Sequence, residues 1–167
     1  MNDRKVRKMV LSAMLSALVV TATMVVKFPS PTNGYVNLGD CFVLLSGWLL
    51  GPWYGAAAAG VGSMLTDLIS GYAYYAPASL LIKGLDALVA ALIFRAMGKR
   101  RGALLLSGIV GELIMAAGYF GYSALLLQKG LGAALSIPGN LMQGAIGIVI
   151  GMLLMQMARR AHIADKF

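Results

Sequence analysis

A chain of 167 residues that is 59% hydrophobic and only 12% charged, with a mean hydropathy of +0.80, is far from soluble composition, which runs near 45–50% apolar and about 25% charged. It reads as a membrane protein. The single Cys41 excludes a disulfide framework and a cysteine-rich zinc site, and the lone His162 sits in a basic tail, so redox and metal chemistry are poor readings. The net charge of +8 is better read as an orientation signal in a bilayer than as a nucleic-acid footprint.

A helix needs roughly 20 apolar residues to cross the hydrocarbon core. Six segments qualify in chain order: Met9–Val26, Leu38–Leu50, Trp53–Ile69, Pro77–Met97, Leu104–Leu127 and Ile137–Met157, the second being short. Gly51-Pro52 breaks the second run from the third, because proline lacks an N–H and disfavours helix at the residue before it. A tight helical hairpin is expected there. Pro77 and Pro138 stand where first helical turns begin and the missing donor does no harm. The longer connections, Lys27–Asn37, Ser70–Ala76 and Gln128–Ser136, are rich in Gly, Pro, Tyr, Asn and Ser, as loops that close over a ligand are. With no long soluble loop, residues 1–167 form one integral membrane domain.

Cations fix the orientation. Arg4, Lys5, Arg7, Lys8, then Arg95, Lys99, Arg100, Arg101, then Arg159, Arg160 and Lys166 fall on one side, which takes eleven of the fourteen lysines and arginines. The positive-inside rule makes that side cytoplasmic, with both termini on it. A secretory cleavage site is not evident after the first run, where Lys27-Phe28-Pro29 follows, so the first helix is expected to stay.

Ionisable groups inside a span cost about 2.5–3.5 kcal/mol facing lipid, so Asp67, Lys83, Asp86 and Glu112 should face protein or water. Lys83 and Asp86 are three apart and can pair. Glu112, Met115, Tyr119 and Tyr122 share one face of the fifth helix, and Asn140, Gln143, Gly144, Gly147 and Gly151 share one face of the sixth. Polar tips thus converge toward the outside above glycines that close the floor. The bland alternative is that these groups merely satisfy one another, and the tyrosines belong to an interfacial belt. Ala13 and Ala17 on the first helix, Gly47, Gly51 and Gly55 around the hairpin, and Ala56, Gly60 and Ser63 on the third permit close helix contact. No phosphate-binding loop, aspartate cluster or Ser/His/Asp set is visible, so no catalysis is expected. Transport against a gradient would draw its energy from another protein.

The basic N-terminus leading into A-M-L-S-A (Ala13–Ala17), the loop N-G-Y-V-N-L-G-D (Asn33–Asp40), the G-x-x-x-G-P hairpin and P-G-N-L-M-Q-G (Pro138–Gly144) together resemble the substrate-binding S component of an energy-coupling factor (ECF) vitamin transporter. The similarity runs over nearly the whole chain and is greatest to the riboflavin, hydroxymethylpyrimidine or pyridoxine branch. It implies an all-α fold of six transmembrane helices in the bacterial cytoplasmic membrane and a vitamin site on the outside. It also implies an ABC importer in which a transmembrane coupling protein and two cytoplasmic ATPases are the partners, with ATP used by those ATPases and no cofactor or metal in this chain. Carried over by position, Ala13 and Ala17 would dock on the coupling protein, Asn33, Tyr35 and Asn37 with Tyr74 would form the lid, and Lys83, Glu112, Tyr119, Asn140 and Gln143 would contact substrate.

A neutral pocket of amides and tyrosine with one acid suits a small hydroxylated heteroaromatic ring, with Glu112 accepting from a ring amino or N–H group. That favours pyridoxine or hydroxymethylpyrimidine, with riboflavin as the alternative. An autonomous solute facilitator and a membrane scaffold without any solute are the competing classes.

Overall fold

Three prolines open helices. Pro52, Pro77 and Pro138 each lie in the first turn of a helix, where a missing N–H leaves no hydrogen bond unmade. In the computed structural model, which describes residues 3–29 and 35–163, the order is α1 (Asp3–Val25), a hairpin of β1 (Lys27–Pro29) and β2 (Tyr35–Asn37), α2 (Asp40–Leu50), α3 (Pro52–Ile69), α4 (Ala76–Ala96), α5 (Arg101–Gly121) and α6 (Ile137–Arg160). A π-helical turn, Tyr122–Leu126, extends α5, and a 3-10 helix, Gly130–Ser136, leads into α6. Four helical stretches, Asp3–Val25, Ala76–Ala96, Arg101–Leu126 and Gly130–Arg160, are long and apolar enough to cross a membrane. The exposed side chains along them are mostly large and apolar, among them Met14, Leu81, Leu113 and Leu153, as lipid-facing surfaces are.

The short α2 is explained by its position. It packs against α1, α3, α4 and α6, and nine of its residues, including Leu44, Gly47 and Trp48, are buried. A helix apolar on all sides is one enclosed by others. Its eleven residues rise only about 16 Å. Gly51 joins it to α3 at φ +88°, ψ −176°, a backbone conformation open only to glycine.

Several expected boundaries move, with α5 beginning at Arg101 rather than Leu104 and α6 ending at Arg160 rather than Met157 among them. α1 begins at Asp3, not Met9, because the Arg-Lys run is itself helix-forming. α2 begins at Asp40, where the Asn37 Oδ1 accepts from the Gly39 N–H at 2.7 Å and turns the chain. The loop from Lys27 to Asn37 contains an antiparallel hairpin, with Phe28 opposite Val36. The Gln128–Ser136 connection is largely the 3-10 helix.

Two ends of the bundle have opposite character. At one, Arg159 donates to the Lys99 carbonyl at 2.7 Å and lies over Phe94, while Lys8 lies over Tyr54. At the other, Tyr35, Tyr72, Tyr74, Tyr75, Tyr119 and Tyr122 form a continuous chain of ring contacts. We call these the basic end and the tyrosine end.

The half toward the basic end is apolar and closely packed. Leu44, Trp48, Phe94, Leu104, Ile148 and Met155 form its core, and the Trp48 indole donates to Ser107 Oγ at 3.0 Å. Helix backbones meet at glycine: a Cβ on Gly47 would stand 2.4 Å from the Ala87 carbonyl oxygen, and one on Gly55 would stand 2.6 Å from that of Ser46. In lipid there is little hydrophobic drive between helices, so this dispersion packing is what holds them.

Candidate functional site

At the tyrosine end a cavity of about 70 Å³ is walled by α1 (Thr23), the hairpin and the turn after it (Tyr35, Asn37, Gly39), α2 (Asp40), α3 (Ser63, Thr66, Asp67), the α3–α4 link and α4 (Tyr75, Ser79, Lys83), α5 and its π-turn (Tyr119, Ser123), the end of the 3-10 helix (Ser136) and the first turns of α6 (Asn140, Gln143). Hydroxyls, amides and three charged groups dominate the wall.

Asp40 organises the floor. It lies in the first turn of α2, where a carboxylate favours the helix dipole. It pairs with Lys83 of α4 in a fully buried salt bridge, and its other oxygen accepts from Gln143 Nε2 of α6 at 2.7 Å. A buried ion pair is tolerated only when its remaining valences are met, and Gln143 meets one. Lys83 also lies 5.7 Å from the Tyr119 ring centroid. Its partner is therefore Asp40 on another helix, not Asp86 one turn along its own.

Gln143 does a second thing. Its Oε1 accepts from the Asn37 backbone N–H at 2.8 Å and from Asn37 Nδ2 at 3.3 Å, while Asn37 Oδ1 accepts from Thr23 Oγ1 at 3.1 Å. The hairpin is thus latched to α6 and α1 through one amide. Further up, Asp67 accepts from the Tyr35 and Ser79 hydroxyls, and Ser79 Oγ lies 2.7 Å from the Tyr119 hydroxyl. Burial, reinforced by the Asp67 carboxylate, pushes the Tyr35 phenol above its ordinary value, so it stays a donor at any physiological pH. Lys27 lies 4.0 Å from the Tyr35 ring centroid and 4.8 Å from that of Tyr72.

Of the five expected substrate contacts, Lys83, Tyr119, Asn140 and Gln143 line the cavity and Glu112 does not. Glu112 shares the Tyr119 face but lies seven residues deeper, roughly 10 Å at 1.5 Å per residue. It is 5% exposed, packed where Cβ atoms on Gly144 and Gly147 would be, beside Asp40. The carboxylates on the wall are instead Asp40 and Asp67. Glu112 and Asp86 have no hydrogen-bond partner among the described residues, and Asp86 lies against the Gly111 backbone. Of the lid residues, Tyr35 and Asn37 line the cavity, and Asn33 lies outside the described residues. Tyr74 is 45% exposed and its ring packs at a tilt against that of Tyr75, the residue that lines the cavity instead. Ala13 and Ala17 are exposed on α1, on the side away from Leu15, Val19 and Thr23. Among the described residues no group of His, Cys, Asp and Glu is placed to hold a metal ion.

Sequence reading missed Asp40, Ser79 and Tyr75 as wall residues. Asp40 closes the first-loop motif and stands at the start of α2, a signal that pointed to it.

The fold is that of an ECF transporter S component: it superposes with TM-score 0.71 on the structure described as "Structure and mechanism of the S component of a bacterial ECF transporter", covering 93% of this chain and 97% of that one at 24% identity. Residues 3–160 match the model of the ECF-type riboflavin transporter S component family, and the chain belongs to that family. It is a multi-pass membrane transport subunit, not an enzyme. Among relatives, an uncharacterized protein in the gap 3′ region of Pyrococcus woesei is 35% identical over 134 residues, 80% of this chain and 88% of that protein. A Lactococcus lactis protein described as the thiamine precursor transporter HmpT is 26% identical over 170 residues, 100% of this chain and 96% of that one.

Proposed function

We propose that the chain captures a single-ring vitamin or vitamin precursor, hydroxymethylpyrimidine or pyridoxine, in the tyrosine-end cavity, and passes it inward through an ATP-driven partner module. The cavity carries this reading. Its wall of hydroxyls and amides with Tyr75 and Tyr119 suits one hydroxylated heteroaromatic ring, since an amide both donates and accepts and a tyrosine adds an aromatic body. The relative described as a thiamine precursor transporter supports the smaller ligand, and the description of the matched family keeps riboflavin as the second reading.

Basic side chains gather at the opposite end, so the positive-inside rule turns the cavity outward with both termini cytoplasmic. The hairpin and the Tyr72–Tyr75 link serve as the lid. Below it lies the packed apolar half, so release on the far side requires the helices to move. Ala13 and Ala17, exposed beside Met14 and Leu18, give the coupling protein a flat contact stripe.

Mass spectrometry of solute co-purifying with the protein in detergent tests the ligand: a pyridine or pyrimidine supports it, and a flavin overturns it. Ala17→Trp should leave binding intact while abolishing ATP-dependent uptake in cells that supply the ECF module. Uptake by this chain alone would favour a facilitator.

A further inference from the structure

The charged groups of the cavity do not balance one another. Lys83 and Asp40 neutralise each other, with Gln143 closing the arrangement. Asp67 is left over. It is 4% exposed and on the cavity wall, and no lysine or arginine among the described residues forms a salt bridge with it. Its two oxygens accept one hydroxyl each, from Tyr35 and Ser79, and a carboxylate oxygen has room for a second donor. Each oxygen can therefore accept once more, and a planar pair of N–H groups is the donor that uses both oxygens of one carboxylate. Ser79 in turn lies 2.7 Å from the Tyr119 hydroxyl, so an aromatic residue of the wall is tied to the same group.

We propose that Asp67 is the specificity-determining residue of this site, selecting a heteroaromatic ring with an exocyclic amine next to a basic ring nitrogen. The carboxylate takes the ligand with that ring nitrogen protonated from solvent, so ring N–H and amine N–H face the two oxygens. The ligand supplies the positive charge that the cavity lacks. A pyrimidinone presents one N–H and a carbonyl in the same place, and the carbonyl faces a carboxylate oxygen. The inference rests on the single-ring reading above and narrows it to the amino-substituted member, hydroxymethylpyrimidine rather than pyridoxine.

Calorimetric titration of the purified chain in detergent with 4-amino-5-hydroxymethyl-2-methylpyrimidine and with its 4-oxo counterpart tests it. The wild-type protein should prefer the amine at least about tenfold, the scale of one charge-assisted hydrogen bond, a comparison that needs no variant. Asp67→Asn, whose amide keeps an acceptor for Ser79 or Tyr35, should bring the two ligands within about threefold of each other. Ser79→Ala keeps the charge, so it should weaken both ligands while the preference survives. Equal weakening of both by Asp67→Asn, or a wild-type protein indifferent to the amine, overturns the role of Asp67 and leaves the single-ring reading standing. A wild-type protein that binds riboflavin and neither pyrimidine overturns both.

Discussion

The two halves of this bundle are held by different physics. Toward the tyrosine end, side chains from α1 to α6 meet through hydrogen bonds and one ion pair around a space. Toward the basic end, glycine and alanine let backbones touch and apolar side chains fill most of what is left, with the buried carboxylates of Asp86 and Glu112 between the two halves. The contrast shows how a polar cavity and a closely packed region can share one small bundle of helices. Hydrogen bonds are directional and can be exchanged with a ligand, so the cavity is built from them. Close backbone packing offers a solute nothing to bind, so the floor is built from that.

If this division is right, substitutions in the two halves should fail in different ways. The largest effect is expected at the one charge pair that both halves share as a boundary. Lys83→Met leaves Asp40 buried without its cation, at a cost of about 3–5 kcal/mol, read as a large drop in thermal unfolding temperature in detergent. Adding Asp40→Asn should restore most of that stability while ligand affinity stays low. A double variant as unstable as the single one would show that the pair does not act as a unit.

Next comes the floor. Gly47→Ala gains roughly 1 kcal/mol in helix propensity but drives a methyl group to 2.4 Å from the Ala87 carbonyl oxygen, and overpacking of this kind costs about 1–3 kcal/mol. The clash should win: unfolding temperature falls, and the remaining folded protein binds ligand with ordinary affinity. Stabilisation by this change would contradict the close α2–α4 approach.

The cavity wall should behave in reverse. Asn140 is half-buried on the wall at the start of α6, so Asn140→Ala should move stability by no more than about 0.5 kcal/mol. It should lower ligand affinity about tenfold, as loss of one hydrogen bond does. Gln143→Ala sits between the two classes, because its amide also latches Asn37 and caps the Asp40 pair. Both affinity and stability should fall there. Loss of stability without loss of affinity at Asn140 would favour a scaffold over a binder.

The helices were legible in the sequence because bilayer length, proline position and basic clusters are local signals. The exceptions are instructive. The hairpin over the cavity is only three residues a side and gains its order from Gln143 and Thr23, which are remote in sequence. Site residues were legible as faces but not as depths. Glu112 and Tyr119 share a face, yet only Tyr119 reaches the cavity, since two helical turns separate them. Nor did spacing along α4 disclose that Lys83 reaches across to Asp40, since that depends on where α2 is enclosed. Asp67 was visible as a charge in a span, and its use depends on which cations pair elsewhere.

Reconstituting the chain alone in liposomes and adding radiolabelled aminopyrimidine tests the central claim, a polar cup above a sealed floor. Retained label should saturate at the amount of protein with its cavity facing the added solute, whatever the internal volume of the vesicles. Retention that grows with vesicle volume would mean solute passes through the packed half, and the account would be contradicted.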